Sequence, residues 1–140
     1  MNIAKGVKQY ASLNKSTAVE EANPHQLIQM LYQGALDNLM QSLGHIERKE
    51  YEAKGQTIGR AITIIGGLQG FLDHEKGGDL SRNLDSLYDY MAVRLYEATS
   101  ENDLEKVKEV INLLREVKQG WDGIAEEAAR MFTQQAEEQG

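Results

Sequence analysis

Residues 79–99, DLSRNLDSLYDYMAVRLYEAT, decide the fold. Leu80, Leu84, Leu87, Met91, Leu95 and Ala98 recur here at spacings of three and four. That period lays all of them on one face of an α-helix, whereas a half-buried strand would alternate at every second residue. Ser100, Glu101 and Asn102 end the pattern. Asn102, with Glu105 three residues on, reads as a capping box that opens a further helix. The apolar stripe of that helix is Leu104, Val107, Ile111, Leu114, Trp121, Ala125 and Phe132.

On the N-terminal side, Asp73-His74-Glu75-Lys76-Gly77-Gly78 interrupts the helical pattern, as paired glycines do. Before it, Ile58, Ile62, Ile65 and Leu72 mark a helix from about Tyr51 to Leu72. Earlier still, Asn23-Pro24 is a helix start. Asn is a good N-cap, and Pro suits the first helical position because its missing N–H would be unpaired there anyway. Ile28, Leu31, Tyr32, Ala35, Leu39, Leu43 and Ile46 form the stripe that follows, and it fades at Arg48-Lys49.

Four amphipathic helices with short connections predict an all-α fold, an antiparallel up-down-up-down four-helix bundle. The expected organisation is a single domain over 1–140. Residues 1–22 form an N-terminal arm, 23–132 the bundle and 133–140 a disordered polar tail. Within the arm, Ile3, Val7 and Tyr10 share one face of a short helix. So short a helix is marginal alone in water.

Composition excludes several function classes. The formal net charge of −7 suits neither nucleic acid nor an anionic membrane surface. With no cysteine there is no disulfide, thiolate metal site or cysteine nucleophile, which fits a cytoplasmic location. No apolar run approaches the roughly 20 residues of a spanning helix, and the N-terminus lacks a secretory apolar segment, so no membrane insertion is expected.

A catalytic constellation is not legible either. His25, His45 and His74 stand far apart near helix ends and read as surface residues. The residues three before them are Ala22, Ser42 and Phe71, so the Glu-x-x-His motif of a di-metal bundle is missing at each. Gly66, Gly67 and Gly70 fall inside a helix and make no phosphate loop; they suit close packing or leave room for a partner helix. Asn83 is either exposed or bonded to a loop. The expectation is a protein that is not an enzyme and holds no cofactor or metal.

The helices carry more apolar surface than one stripe each. Ala61, Ile64, Leu68 and Phe71 lie roughly 90° from the first stripe of the second helix. Val93 and Tyr96 lie opposite the core face of the third, and Leu113, Ile124 and Met131 lie off-centre on the fourth. Two readings stay open: the extra stripes widen the core, or they form an exposed groove that accepts an amphipathic helix. In the second reading the arm, through Val7 and Tyr10, covers the groove when the partner is absent.

The residues from Asn23 to Ala35, NPHQLIQMLYQGA, resemble the opening signature of the flagellar secretion chaperone family, FliS. Glu75-Lys76-Gly77-Gly78-Asp79-Leu80, Asn83-Leu84 and Leu87-Tyr88-Asp89-Tyr90-Met91 resemble its second signature. Trp121, and Tyr10 after Gly6 and Val7, match further points, so the resemblance runs from about residue 3 to about residue 125.

It implies a cytoplasmic chaperone that binds the disordered C-terminal segment of flagellin, prevents premature polymerisation and delivers it to the flagellar export gate. It also implies that Val7 and Tyr10 cover part of the binding surface. The candidate partner-binding residues are Val7, Tyr10, Ile64, Leu68, Phe71, Val93 and Tyr96. The free protein is expected to be a monomer or weak homodimer. The alternative is a helical adaptor for another export substrate or regulator.

Overall fold

The computed structural model describes residues 24–123. The expectations for the arm, including Val7 and Tyr10, and for Ile124, Ala125, Met131, Phe132 and the tail fall outside them. Four helices occupy nearly all of the described chain: α1 (Pro24–Glu47), α2 (Tyr51–Gly70), α3 (His74–Glu101) and α4 (Leu104–Gly123). There is no strand among the described residues.

The helices form a ring in which each packs on its sequence neighbours and α4 closes against α1. The short turn at 48–50 folds α2 back against α1, and side-chain links fix the other three adjacent pairs as antiparallel. Lys54 at the start of α2 reaches Thr99 and Asn102 at the end of α3. Gln69 near the end of α2 donates to Asp85 and Asp89 early in α3. Between α3 and α4, Arg94 meets Glu109 and Lys106 meets Glu97. Between α4 and α1, Gln29 donates to Asp122. The up-down-up-down bundle follows. At its entry end lie the start of α1, the end of α2, the start of α3 and the end of α4.

Leu31, Ala35 and Leu39 of α1, Ile58, Ala61 and Ile65 of α2, Met91, Leu95 and Ala98 of α3, and Val107, Val110 and Leu114 of α4 fill the core. Most of these are the positions their three-and-four spacing selects; Ala61 comes from the second stripe of α2, and Val110 was in no stripe read from the sequence. Tyr32 and Tyr88 join them with their hydroxyls paired inside.

Three local features depart from the sequence reading. Asp73 caps a helical turn that includes His74–Gly77, accepting from the backbone N–H of Glu75 and Lys76. The break comes at Gly78, whose φ of 53° and ψ of −129° are non-helical. Asn102 does not open α4. It ends α3 in the left-handed conformation with φ of 55°, and its side-chain oxygen accepts from Lys54. The cap of α4 is Asp103, which accepts from the N–H of Glu105 and Lys106. Leu80, expected in the core, is 67% exposed, while its neighbour Ser81 is buried in that turn.

Candidate functional site

Ala61, Ile64 and Leu68 belong to the core of their own chain, Ile64 and Leu68 being only 2% and 3% exposed. The wider-core reading therefore holds for this part of α2, and the expected exposed stripe through Ile64 and Leu68 is corrected. The physical reason is the position of α2 in the ring. It packs on both α1 and α3, so its buried arc spans both stripes.

Phe71, the C-cap of α2, is the member of that stripe that reaches solvent, at 40% exposure. It shares the entry end with exposed Leu80. On the outer side of α3, Val93 and Tyr96 are 55% and 60% exposed, as their place opposite the core face requires. Three residues apart, they form one patch. Exposed Tyr90 stands one turn earlier and is held in place. Its hydroxyl donates to Glu109 at 2.6 Å, and Glu109 also accepts from Arg94 at 2.8 Å. The Tyr90 bond and then the Arg94 bond hold the Glu109 carboxyl below its ordinary pKa, while the same bond to Glu109 raises the Tyr90 phenol.

The structure thus brings Val93 and Tyr96 together and leaves Phe71 at the entry end. Asn83 is exposed.

The sequence did not single out a second surface feature. A shallow groove of about 440 Å³ between α1 and α4 is lined by Leu36, Met40, Arg115 and Lys118, among others. Met40 is half exposed, and the Arg115 guanidinium rests 3.9 Å from its sulfur. Only its place off the α1 stripe could have marked Met40 in advance.

The histidines divide. His74 is exposed and contacts Ser81. His45 is partly buried and pairs with Glu50 at 2.8 Å. His25, expected on the surface, is 3% exposed, because the end of α4 lays Trp121 across it. Among the described residues no three His, Cys, Asp or Glu side chains converge as metal ligands, and no helix is long and apolar enough to cross a membrane. What the surface offers chemically is apolar contact on α3 and at the entry end, edged by carboxylates and a few cations. That suits adhesion to an amphipathic segment.

A helical ring with exposed apolar patches on its outer face defines the class: a small all-α binding protein. Residues 6–128 match the family described as "Flagellar protein FliS", and the chain belongs to that family. It is 51% identical over 125 residues to the flagellar secretion chaperone FliSB of Pseudomonas aeruginosa, covering 89% of this chain and 99% of that protein. It is 42% identical over 130 residues to the flagellar secretion chaperone FliS of Salmonella typhimurium, covering 92% and 96%. The FliS of Vibrio cholerae is 36% identical over 118 residues, covering 84% and 87%.

Proposed function

We propose that this chain, a flagellar secretion chaperone of the FliS family, acts in the cytoplasm on flagellin. In this reading it binds the disordered C-terminal segment of flagellin and hands it to the flagellar export gate. The observation that carries the reading is the family match over residues 6–128. The exposed pair Val93 and Tyr96 supports it by offering apolar surface that the bundle's own core does not use.

The mechanism is competition. A flagellin segment that folds as helices against the chaperone presents its apolar faces there, and those faces are then unavailable for assembly. Ordering a free segment costs conformational entropy, so a long wrapped surface is needed to offset it. Phe71, Val93 and Tyr96 contribute side chains to that surface, and Val7 and Tyr10 cover part of it before flagellin arrives. Ile64 and Leu68 support it from within the core. The chain performs no chemistry in this role.

Calorimetric titration with the C-terminal segment of flagellin from the same organism tests the reading. Tight one-to-one binding with a negative heat-capacity change and a gain of helix is the expected result. Absence of binding between two intact components would sink it.

A further inference from the structure

His25 is the one buried side chain among the described residues whose polar atoms have no partner: neither Nδ1 nor Nε2 makes a hydrogen bond. A neutral imidazole carries one donor and one acceptor, and a buried group normally finds partners for both. Here the ring has a stacking partner instead. Trp121 lies parallel to it, with centroids 4.6 Å apart and planes inclined by 18°. The indole Nε1 also points at the His25 carbonyl, at 3.4 Å. These contacts join the first turn of α1 to the last turn of α4 at the entry end.

We propose that the His25–Trp121 stack is a proton-sensitive latch, closed while the imidazole is neutral and opened when it gains a proton. An imidazolium carries two N–H donors, and in this position neither has an acceptor. The indole face attracts a cation, but the loss of solvent at a ring 3% exposed with both N–H groups unmet outweighs it, and the charged ring is disfavoured where it stands. A place for it lies close by.

Asp122, the residue after Trp121, is the one charged group of the described residues acting on His25; α2 and α3 contribute none. Its carboxylate already accepts from Gln29 of α1 at 2.9 Å and from Lys118 of α4 at 2.6 Å, and these bonds, Lys118 first, keep it ionised. Asp122 draws the proton toward His25 and burial opposes it. Burial is the larger effect, so the His25 pKa lies below its ordinary 6.5. A protonated ring turns out of the stack toward Asp122 and solvent. Opening then adds the face of Trp121 to the apolar surface of Phe71 and Leu80 at the same end.

The sign follows from linkage. The closed form binds the proton less readily than the open form. The opening equilibrium is flat above pH 6.5 and rises about tenfold per pH unit between the open and closed pKa values. This latch is independent of which partner the chaperone carries.

Trp121 is the single tryptophan of the chain, so its emission reports the stack alone, and amide exchange in the first turn of α1 separates opening from a change of charge in a closed stack. The full chain is titrated from about pH 8 to about pH 5 while the His25 ring is followed by NMR. Expected is one emission step with a midpoint below 6.5, coincident with the His25 titration. Amide exchange in the first turn of α1 should accelerate over the same range.

His25→Phe, which keeps a stacking ring and loses the proton site, is expected to abolish the step. An emission step that persists in His25→Phe overturns the proposal. So does a His25 ring that titrates at or above 6.5, or without any response from Trp121. Both of these last results are read on the wild-type chain and need no folded variant.

Discussion

The hydroxyls of Tyr32 on α1 and Tyr88 on α3 meet 2.5 Å apart inside the bundle, linking the two helices that face each other across the ring. Among the described residues each is the other's one side-chain hydrogen-bond partner, and burial pushes the pKa of both phenols up. Removing one hydroxyl strands the other in the core, which costs about 1–3 kcal/mol; removing both leaves two phenyl rings and nothing unpaired. Tyr32→Phe and Tyr88→Phe should therefore each lower the unfolding free energy by that amount. The double variant should lie closer to wild type than the sum of the two. Urea denaturation of the four proteins checks this.

The same pair sets the alkaline limit. An unfolded tyrosine ionises near pH 10, whereas the folded pair holds its protons to higher pH. Between those values the folded state binds more protons than the unfolded one, so stability falls as pH rises above about 10. Denaturation midpoints measured upward from neutral pH should decline there, and the double Phe variant should decline less.

Surface and core on the two central helices should separate in mutagenesis. Leu68→Asp buries a carboxylate with no partner, and a loss of more than about 3 kcal/mol is expected. Tyr96→Asp and Val93→Asp alter exposed positions on the outside of α3 and should shift stability by less than about 0.5 kcal/mol. Both should weaken binding of the flagellin segment. Thermal melts with calorimetry distinguish the two classes. Unchanged flagellin affinity in both α3 variants would remove that face from the proposed surface.

The bundle was legible because helical periodicity is a property of sequence alone. The spacing of Leu84, Leu87, Met91 and Leu95 selects the inner face of α3 whatever surrounds it. The width of a buried arc is different, because it depends on how many neighbours a helix has. Ile64 and Leu68 read as surplus when α2 is considered alone, and they become core once α1 and α3 flank it. Leu80 shows the converse: it lies in register with the stripe but is exposed, and the next residue, Ser81, is buried instead. His25 was unreadable for a related reason, since its burial comes from Trp121, far along the chain. Val93 and Tyr96 were readable because they lie opposite the core face of α3, on the side that neither α2 nor α4 covers.

The turn between α3 and α4 divides its work between two adjacent residues that sequence alone does not separate. Asp103 caps α4, so Asp103→Ala should cost about 1 kcal/mol through the lost bonds to the N–H of Glu105 and Lys106. Asn102 supplies the left-handed residue and accepts from Lys54 at 2.6 Å, while Lys54 also donates to the Thr99 carbonyl at 2.8 Å. Asn102→Gly keeps the backbone free to adopt positive φ and loses the Lys54 bond. Asn102→Ala loses both and should be the more destabilising of the two. Reversal of that order in chemical denaturation would show that the backbone conformation carries no cost at this position.

Two glycines test backbone against space. A Cβ built at Gly78 would meet no atom within 4 Å, yet the positive φ there suits glycine alone. Gly78→Ala should therefore destabilise by about 1–2 kcal/mol without any clash, or straighten the start of α3. At Gly66 a Cβ also meets nothing within 4 Å, but the backbone is ordinary α2 helix. Gly66→Ala should raise stability by about 0.5–1 kcal/mol, the helix-propensity difference between the two residues. The melting temperatures of the two variants should move in opposite directions. If Gly66→Ala stabilises the free chain yet weakens flagellin binding, the open notch it fills lies on the path of the partner; unchanged binding places that path elsewhere on the bundle.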